Sequence, residues 1–155
     1  MAVALVAGVL IAAAAVRAHR PGPLPLPTVA APAAHSADCD RLLAAVPSRL
    51  DAGVQGELER RAAAGPAPPG TAAWGEPAVV LRCGVDRPAA LTVTSRLLDV
   101  SGVQYLGLPG GVWVVVDRPV YVSVTLPEEL GTGPIQQLTE VIARTLPARE
   151  LDLSG

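Results

Sequence analysis

The stretch VWVVVDRPVYVSVTL, Val112 to Leu126, decides the fold. Two runs rich in β-branched residues, VWVVV (Val112–Val116) and VYVSVTL (Val120–Leu126), flank Asp117-Arg118-Pro119. Such runs suit a pleated strand, and an Asp-x-Pro step suits a turn. In the second run Val120, Val122 and Val124 alternate with Tyr121, Ser123 and Thr125. That period of two predicts a strand with one buried and one wet face.

Working outward, the turn PGG (Pro109–Gly111) precedes the first run. Val100–Leu108 reads as a strand with a bulge at Gly102, and Thr94–Leu98 as a short helical turn after a Thr-Ser cap. AVVLRCGV (Ala78–Val85) is a further strand, and it carries Cys83. Residues 51–72 are rich in Ala, Gly, Pro and Arg, which predicts a loop with one frayed helical turn around Gln55–Ala64.

Helical periodicity brackets these strands. In SADCDRLLAAVPSRL, Cys39, Leu42, Leu43, Val46 and Leu50 share one helical face. Ser36 or Asp38 caps its start, and Pro47 ends or kinks it. After the loop Pro127–Gly133, Thr132 caps a second helix with Ile135, Leu138, Val141, Ile142, Thr145 and Leu146 as its apolar face. The sum is an α+β fold: a small antiparallel sheet of about four strands with the N-terminal and C-terminal helices on one face.

Cys39 and Cys83 are the only cysteines. An even count in a small, apparently exported chain favours one disulfide, joining the first helix to the strand at Ala78–Val85. Two unrelated buried thiols are the alternative. No metal or cofactor is predicted, because His19 and His35 lack metal-site spacing and no C-x-x-C occurs.

Export is read from the N-terminus. Ala2–Val16 is an uncharged apolar run that as a helix would span roughly 22 Å, short of a bilayer core of about 30 Å. It fits the apolar region of a signal peptide, with Val16-Arg17-Ala18 as a cleavage site. Arg17 and Arg20 follow the run and no basic residue precedes it, the reverse of the usual order. A start upstream of Met1 would reconcile the two. The expected organisation is a signal peptide or short membrane anchor (1–18), a Pro/Ala-rich tether that is extended and solvated (19–35), one domain (36–149) and a tail (150–155).

Composition narrows the function classes. Half of the 155 residues are apolar, yet aromatics make up 3% with no Phe, so the core must be aliphatic. The net charge of −2 leaves no basic footprint for nucleic acid. The domain has no His after His35 and no Lys, and Ser95, Ser101 and Ser123 lack a nucleophile motif. Glu76, Asp86, Asp99 and Asp117 near strand ends could serve as a carboxylate pair, though such acids are commonly turn and cap residues. Trp74, Trp113 and the arginines Arg82, Arg87 and Arg118 come nearest to a binding surface, and Arg87 and Arg118 in their equivalent turns could contact an anionic envelope group; Trp74 as a core plug and Arg87 and Arg118 as solvated turn residues are the plainer readings. GVDRPAALTVT (Gly84–Thr94) echoes VVDRPVYVSVT (Val115–Thr125), which reads as one turn chemistry used twice.

The order of an apolar segment, a Pro/Ala tether, CDRLLAAVPSRL, AAWGEPAVVLRCGVDRPAAL and VWVVVDRPVYVSV resembles the exported actinobacterial proteins known as domain of unknown function 3515. Trp74-Gly75 with Pro77, then Leu81-Arg82-Cys83-Gly84, is the most specific part. The resemblance implies compartment and fold and supplies no reaction. The expected function is an exported or membrane-anchored envelope protein, a non-catalytic binding or accessory domain. Its partner would be an envelope protein or wall component, with the membrane reached through the N-terminal segment if uncleaved. A carboxylate-dependent enzyme acting on envelope glycan or peptide is the alternative.

Overall fold

The valine runs form the middle of the sheet. In a computed structural model, which describes residues 21–153, β7 (Val112–Val115) pairs antiparallel with β8 (Tyr121–Thr125), Val114 opposite Ser123. Around them run β3 (Thr71–Trp74), β4 (Val79–Val85), β5 (Leu97–Val100) and β6 (Val103–Leu108). The six-stranded order is β3-β4-β8-β7-β6-β5, antiparallel throughout. A second, two-stranded sheet pairs β1 (Arg49–Asp51) with β2 (Glu57–Glu59). Helices α1 (Ala37–Ala45) and α2 (Gly133–Thr145) complete an α+β fold. The sequence-predicted signal or anchor at 1–18 lies outside the described residues.

The sheet is thus larger than the expected four strands, by β3 and β5, and a separate two-stranded sheet stands beside it. Val100–Leu108 is not one bulged strand: the chain reverses at Ser101 (φ 50°) and Gly102 (φ 78°), where two positive φ values make a hairpin turn. Asp99 Oδ1 steadies it by accepting from the Gly102 N–H at 3.1 Å. The helical turn expected at Thr94–Leu98 gives way to a Thr92–Ser95 turn followed by β5. Within 51–72, Glu57–Glu59 is strand rather than helix, and Leu58 lies opposite Leu50, both buried. Leu50 therefore belongs to β1, not to a helical face; α1 ends at Ala45, with Val46 N–H donating to Leu42 C=O at 3.1 Å. Strand β3 hides in an Ala-rich stretch with no alternation to betray it.

Ser36 caps α1 by accepting from Cys39 N–H at 3.3 Å. Thr132 precedes α2 but makes no side-chain cap; Gly133 and Pro134 open that helix. Both helices cover one sheet face. Cys39 and Leu42 of α1, with Ile135, Leu138 and Ile142 of α2, share a core with Val79, Leu81, Val103, Tyr105, Val115, Val122 and Val124. Cys39 and Cys83 form a disulfide, Cα–Cα 5.5 Å, that ties α1 to β4.

The opposite face is not wet as the alternation predicts. Ser123 is buried and Tyr121 and Thr125 are half-buried. Leu91, Leu106, Val114 and Val116 form a second cluster there, covered in part by Leu151 and Leu153 of the C-terminal tail. The proline-rich segment also docks. Leu24 exchanges backbone hydrogen bonds with Ala62 C=O and Ala64 N–H, both 2.8 Å, and Ala33 N–H donates to Gly84 C=O at 3.1 Å. Gly84 (φ 80°) permits this approach, since a Cβ there would lie 2.3 Å from the Ala33 carbonyl carbon.

Tyr105 links sheet to helix. Thr139 Oγ1 donates to Ile135 C=O at 2.6 Å, so the Tyr105 hydroxyl, 2.7 Å away, donates to Thr139. Burial pushes the phenol pKa up to about 12 from 10.0. Because the folded state favours the protonated phenol, its contribution is complete below pH 10 and is lost as pH climbs towards 12. Stability measured across that window should fall by about 2–3 kcal/mol from this group, and Tyr105→Phe should flatten the fall.

Candidate functional site

The two Asp-Arg-Pro turns meet at one end of the sheet. β4 ends at Val85 opposite Tyr121, where β8 begins, and β7 ends beside them. The turns at 86–88 and 117–119 therefore share that end with the Ser101–Gly102 turn and the C-terminal tail. Arg149 N–H donates to Asp117 C=O at 2.8 Å, and Arg87 Nη2 donates to Asp152 C=O at 3.3 Å. A cleft of about 530 Å³ opens there, lined by Arg118, Pro119, Tyr121, Arg149, Glu150 and Asp152 among others.

Asp117, Arg118 and Arg87 at this end are engaged within the chain. Arg118 is buried, pairs with Asp117 Oδ2 at 2.8 Å, and donates through Nη2 to Gly102 C=O at 3.1 Å. One guanidinium thus braces the 117–119 turn and the Ser101–Gly102 turn. Arg87 is half-buried and donates to Leu91 C=O at 3.1 Å. Neither arginine is the solvated turn residue of the plainer reading, and neither presents a free fork.

The tryptophans lie elsewhere. Trp74 is fully buried at the end of β3; its Nε1 donates to Pro47 C=O at 2.9 Å, and Arg60 lies over the ring at 5.0 Å. Trp113 is half-buried on β7, its ring against Gly107, in a cleft of about 490 Å³ with Pro109, Gly111 and Leu126. Trp74, Trp113 and the arginine pair are not brought into one site.

The acids are also spread. Glu76 sits in the β3–β4 turn and bonds Arg61 at 2.5 Å, whereas Asp99 is on β5, the opposite sheet edge. Five strand spacings separate those edges, roughly 24 Å. Asp86 is exposed at the same end as Asp117, but Asp117 is sealed against Arg118. Among the described residues, no group of three or more His, Cys, Asp or Glu is placed to hold a metal ion.

Two features are placed by the structure in ways the sequence reading did not give. Among the described residues β5 pairs only with β6 and leaves its outer edge open, with Leu98 49% exposed and Val93, five residues before it in the chain, 76% exposed. The other outer strand, β3, is covered: Arg61 N–H donates to Ala73 C=O and Gly75 N–H to Glu59 C=O. Arg82, the other feature, is buried beneath the docked proline-rich segment. The Ser-Gly step at 101–102 could have signalled the β5–β6 hairpin; nothing local signals which edge stays open.

A family model described as "Protein of unknown function (DUF3515)" matches residues 1–151. No curated protein and no solved structure matches the chain.

Proposed function

We propose, from the premise that the chain belongs to the DUF3515 family, that it is an extracytoplasmic, non-catalytic binding or accessory domain of the cell envelope. The Cys39–Cys83 disulfide supports the compartment, since such bonds persist where glutathione and thioredoxin do not reach. The apolar run Ala2–Val16 then serves as leader or anchor. The observation that carries the binding role is the open edge of β5. In a hairpin with a two-residue turn, Val100 and Val103 form the hydrogen-bonded pair, so the backbone groups of Leu97 and Asp99 point away from β6. These groups and the exposed Leu98 suit an added strand, an extended segment of an envelope protein.

The test is photo-crosslinking in the native envelope. A crosslinker at Leu98 should trap one discrete partner, and one at the exposed Val54 should not. Equal adducts at both positions would sink the edge reading. No adduct at Leu98 together with turnover of purified envelope glycan would put the carboxylate enzyme in its place.

A further inference from the structure

Arg82 is a buried cation without a counter-ion among the described residues. Only 9% of the residue is exposed, and its neighbours Leu81 and Cys83 face the helix-covered core, so its side chain lies on the other face of β4. There Nη2 donates to Pro27 C=O at a long 3.4 Å, while the buried Nε has no partner. Two other arginines with buried side chains, Arg61 and Arg118, have carboxylates at 2.5 and 2.8 Å. Among the described residues no carboxylate pairs with Arg82. Burial lowers its pKa from the ordinary arginine value. A guanidinium nevertheless does not shed its proton in a protein, so neutralisation by deprotonation is closed to it. A buried, unpaired charge is strongly unfavourable unless something of opposite sign joins it.

Room for such a partner exists. A cavity of about 70 Å³ lies between β4 and the docked segment, bounded by Thr28, Ala34, Pro69, Thr71 and Arg82 among others. Thr71 lies directly across from Arg82 in the β3–β4 register. Its hydroxyl donates to Pro69 C=O at only 3.3 Å, a weak bond that a better acceptor would displace. At about 30 Å³ per water the space holds roughly two, the size of one small anion and far below a sugar or nucleotide.

We propose that this cavity binds one small anion, a carboxylate or an inorganic oxyanion, with Arg82 as its receptor and Thr71 as a second donor. The proline-rich segment is its lid: Thr28 lines the cavity, and the Pro27 carbonyl accepts from Arg82 Nη2. The site is separate from the β5 edge and does not depend on it.

Titration calorimetry of the full chain with inorganic phosphate, sulfate and acetate tests this, each against sodium chloride at matched ionic strength. At least one of the three should give saturable one-to-one binding that weakens at least tenfold in Arg82→Met. In the wild type the same anion should shift the Arg82 Nε–H resonance. Preference for acetate would identify a carboxylate ligand, and preference for phosphate or sulfate an oxyanion. Absence of saturable binding by all three, equal binding by Arg82→Met, or an unmoved Nε–H resonance would overturn the proposal. The resonance needs no variant, so it decides the matter even if Arg82→Met fails to fold.

Discussion

Replacing both cysteines, Cys39→Ala with Cys83→Ala, should remove about 4 kcal/mol of stability, the chain-entropy value for a link with a sequence separation of 44. Domains of this size are stable by only about 5–15 kcal/mol, so the loss would be a large share of the total. It corresponds to a fall in Tm of roughly 12–16 °C. The position of the link explains the size. Helix α1 offers only two buried side chains, Cys39 and Leu42, to hold it against the sheet. Without the covalent tie, a nine-residue helix would rest on little else. Chemical denaturation of oxidised wild type and double variant measures the difference, and alkylation of the native wild type should find no free thiol. A difference below about 1 kcal/mol would show that packing alone secures α1. The same loss should appear in wild type produced in a reducing compartment, which is why the proposed location matters to the fold.

Trp74→Ala should cost about 3–5 kcal/mol, the range for removing a fully buried large aromatic. Trp74 is the largest fully buried side chain in a core otherwise built from aliphatic residues and one tyrosine. Truncation would open a cavity among residues too short to refill it, and would leave Pro47 C=O without its indole donor. Arg60 would lose the ring beneath it as well. Trp74→Phe keeps most of the volume and should cost less. Urea denaturation of the three proteins gives the ranking. Partner crosslinking at Leu98 should survive in Trp74→Phe, because the ring does not reach the surface. Loss of crosslinking in a fully folded Trp74→Phe would restore Trp74 as a recognition residue.

The strands that were legible in the sequence are those with strong local signals. β7 and β8 stand out because valine recurs on both sides of an Asp-Arg-Pro turn, and α2 because its apolar residues keep helical spacing to Pro147. β3 was illegible because Ala72-Ala73 separates its two strand formers, Thr71 and Trp74; it becomes a strand by pairing with β4. Leu50 was misassigned for a similar reason: its spacing from Leu42 and Val46 fits a helix, but Pro47 interrupts, and Leu58 supplies a cross-strand partner that lies outside the local window. The candidate site residues were visible as residue types only. Whether Trp74 is core or surface, or Arg118 free or braced, depends on chain that lies far away in sequence, Pro47 in one case and Gly102 in the other.

By itself the sequence determined the α+β class, the positions of the helices and central strands, and which two sulfurs could meet. These follow from spacing, β-branching and cysteine count, all local or compositional properties. Tertiary structure alone decided that the proline-rich segment docks, that β5 rather than β3 is the open edge, and that Arg82 is buried without a carboxylate. Those outcomes depend on which distant segment covers which backbone edge or side chain. The free energy of covering belongs to pairs of surfaces, so no single stretch of sequence encodes it.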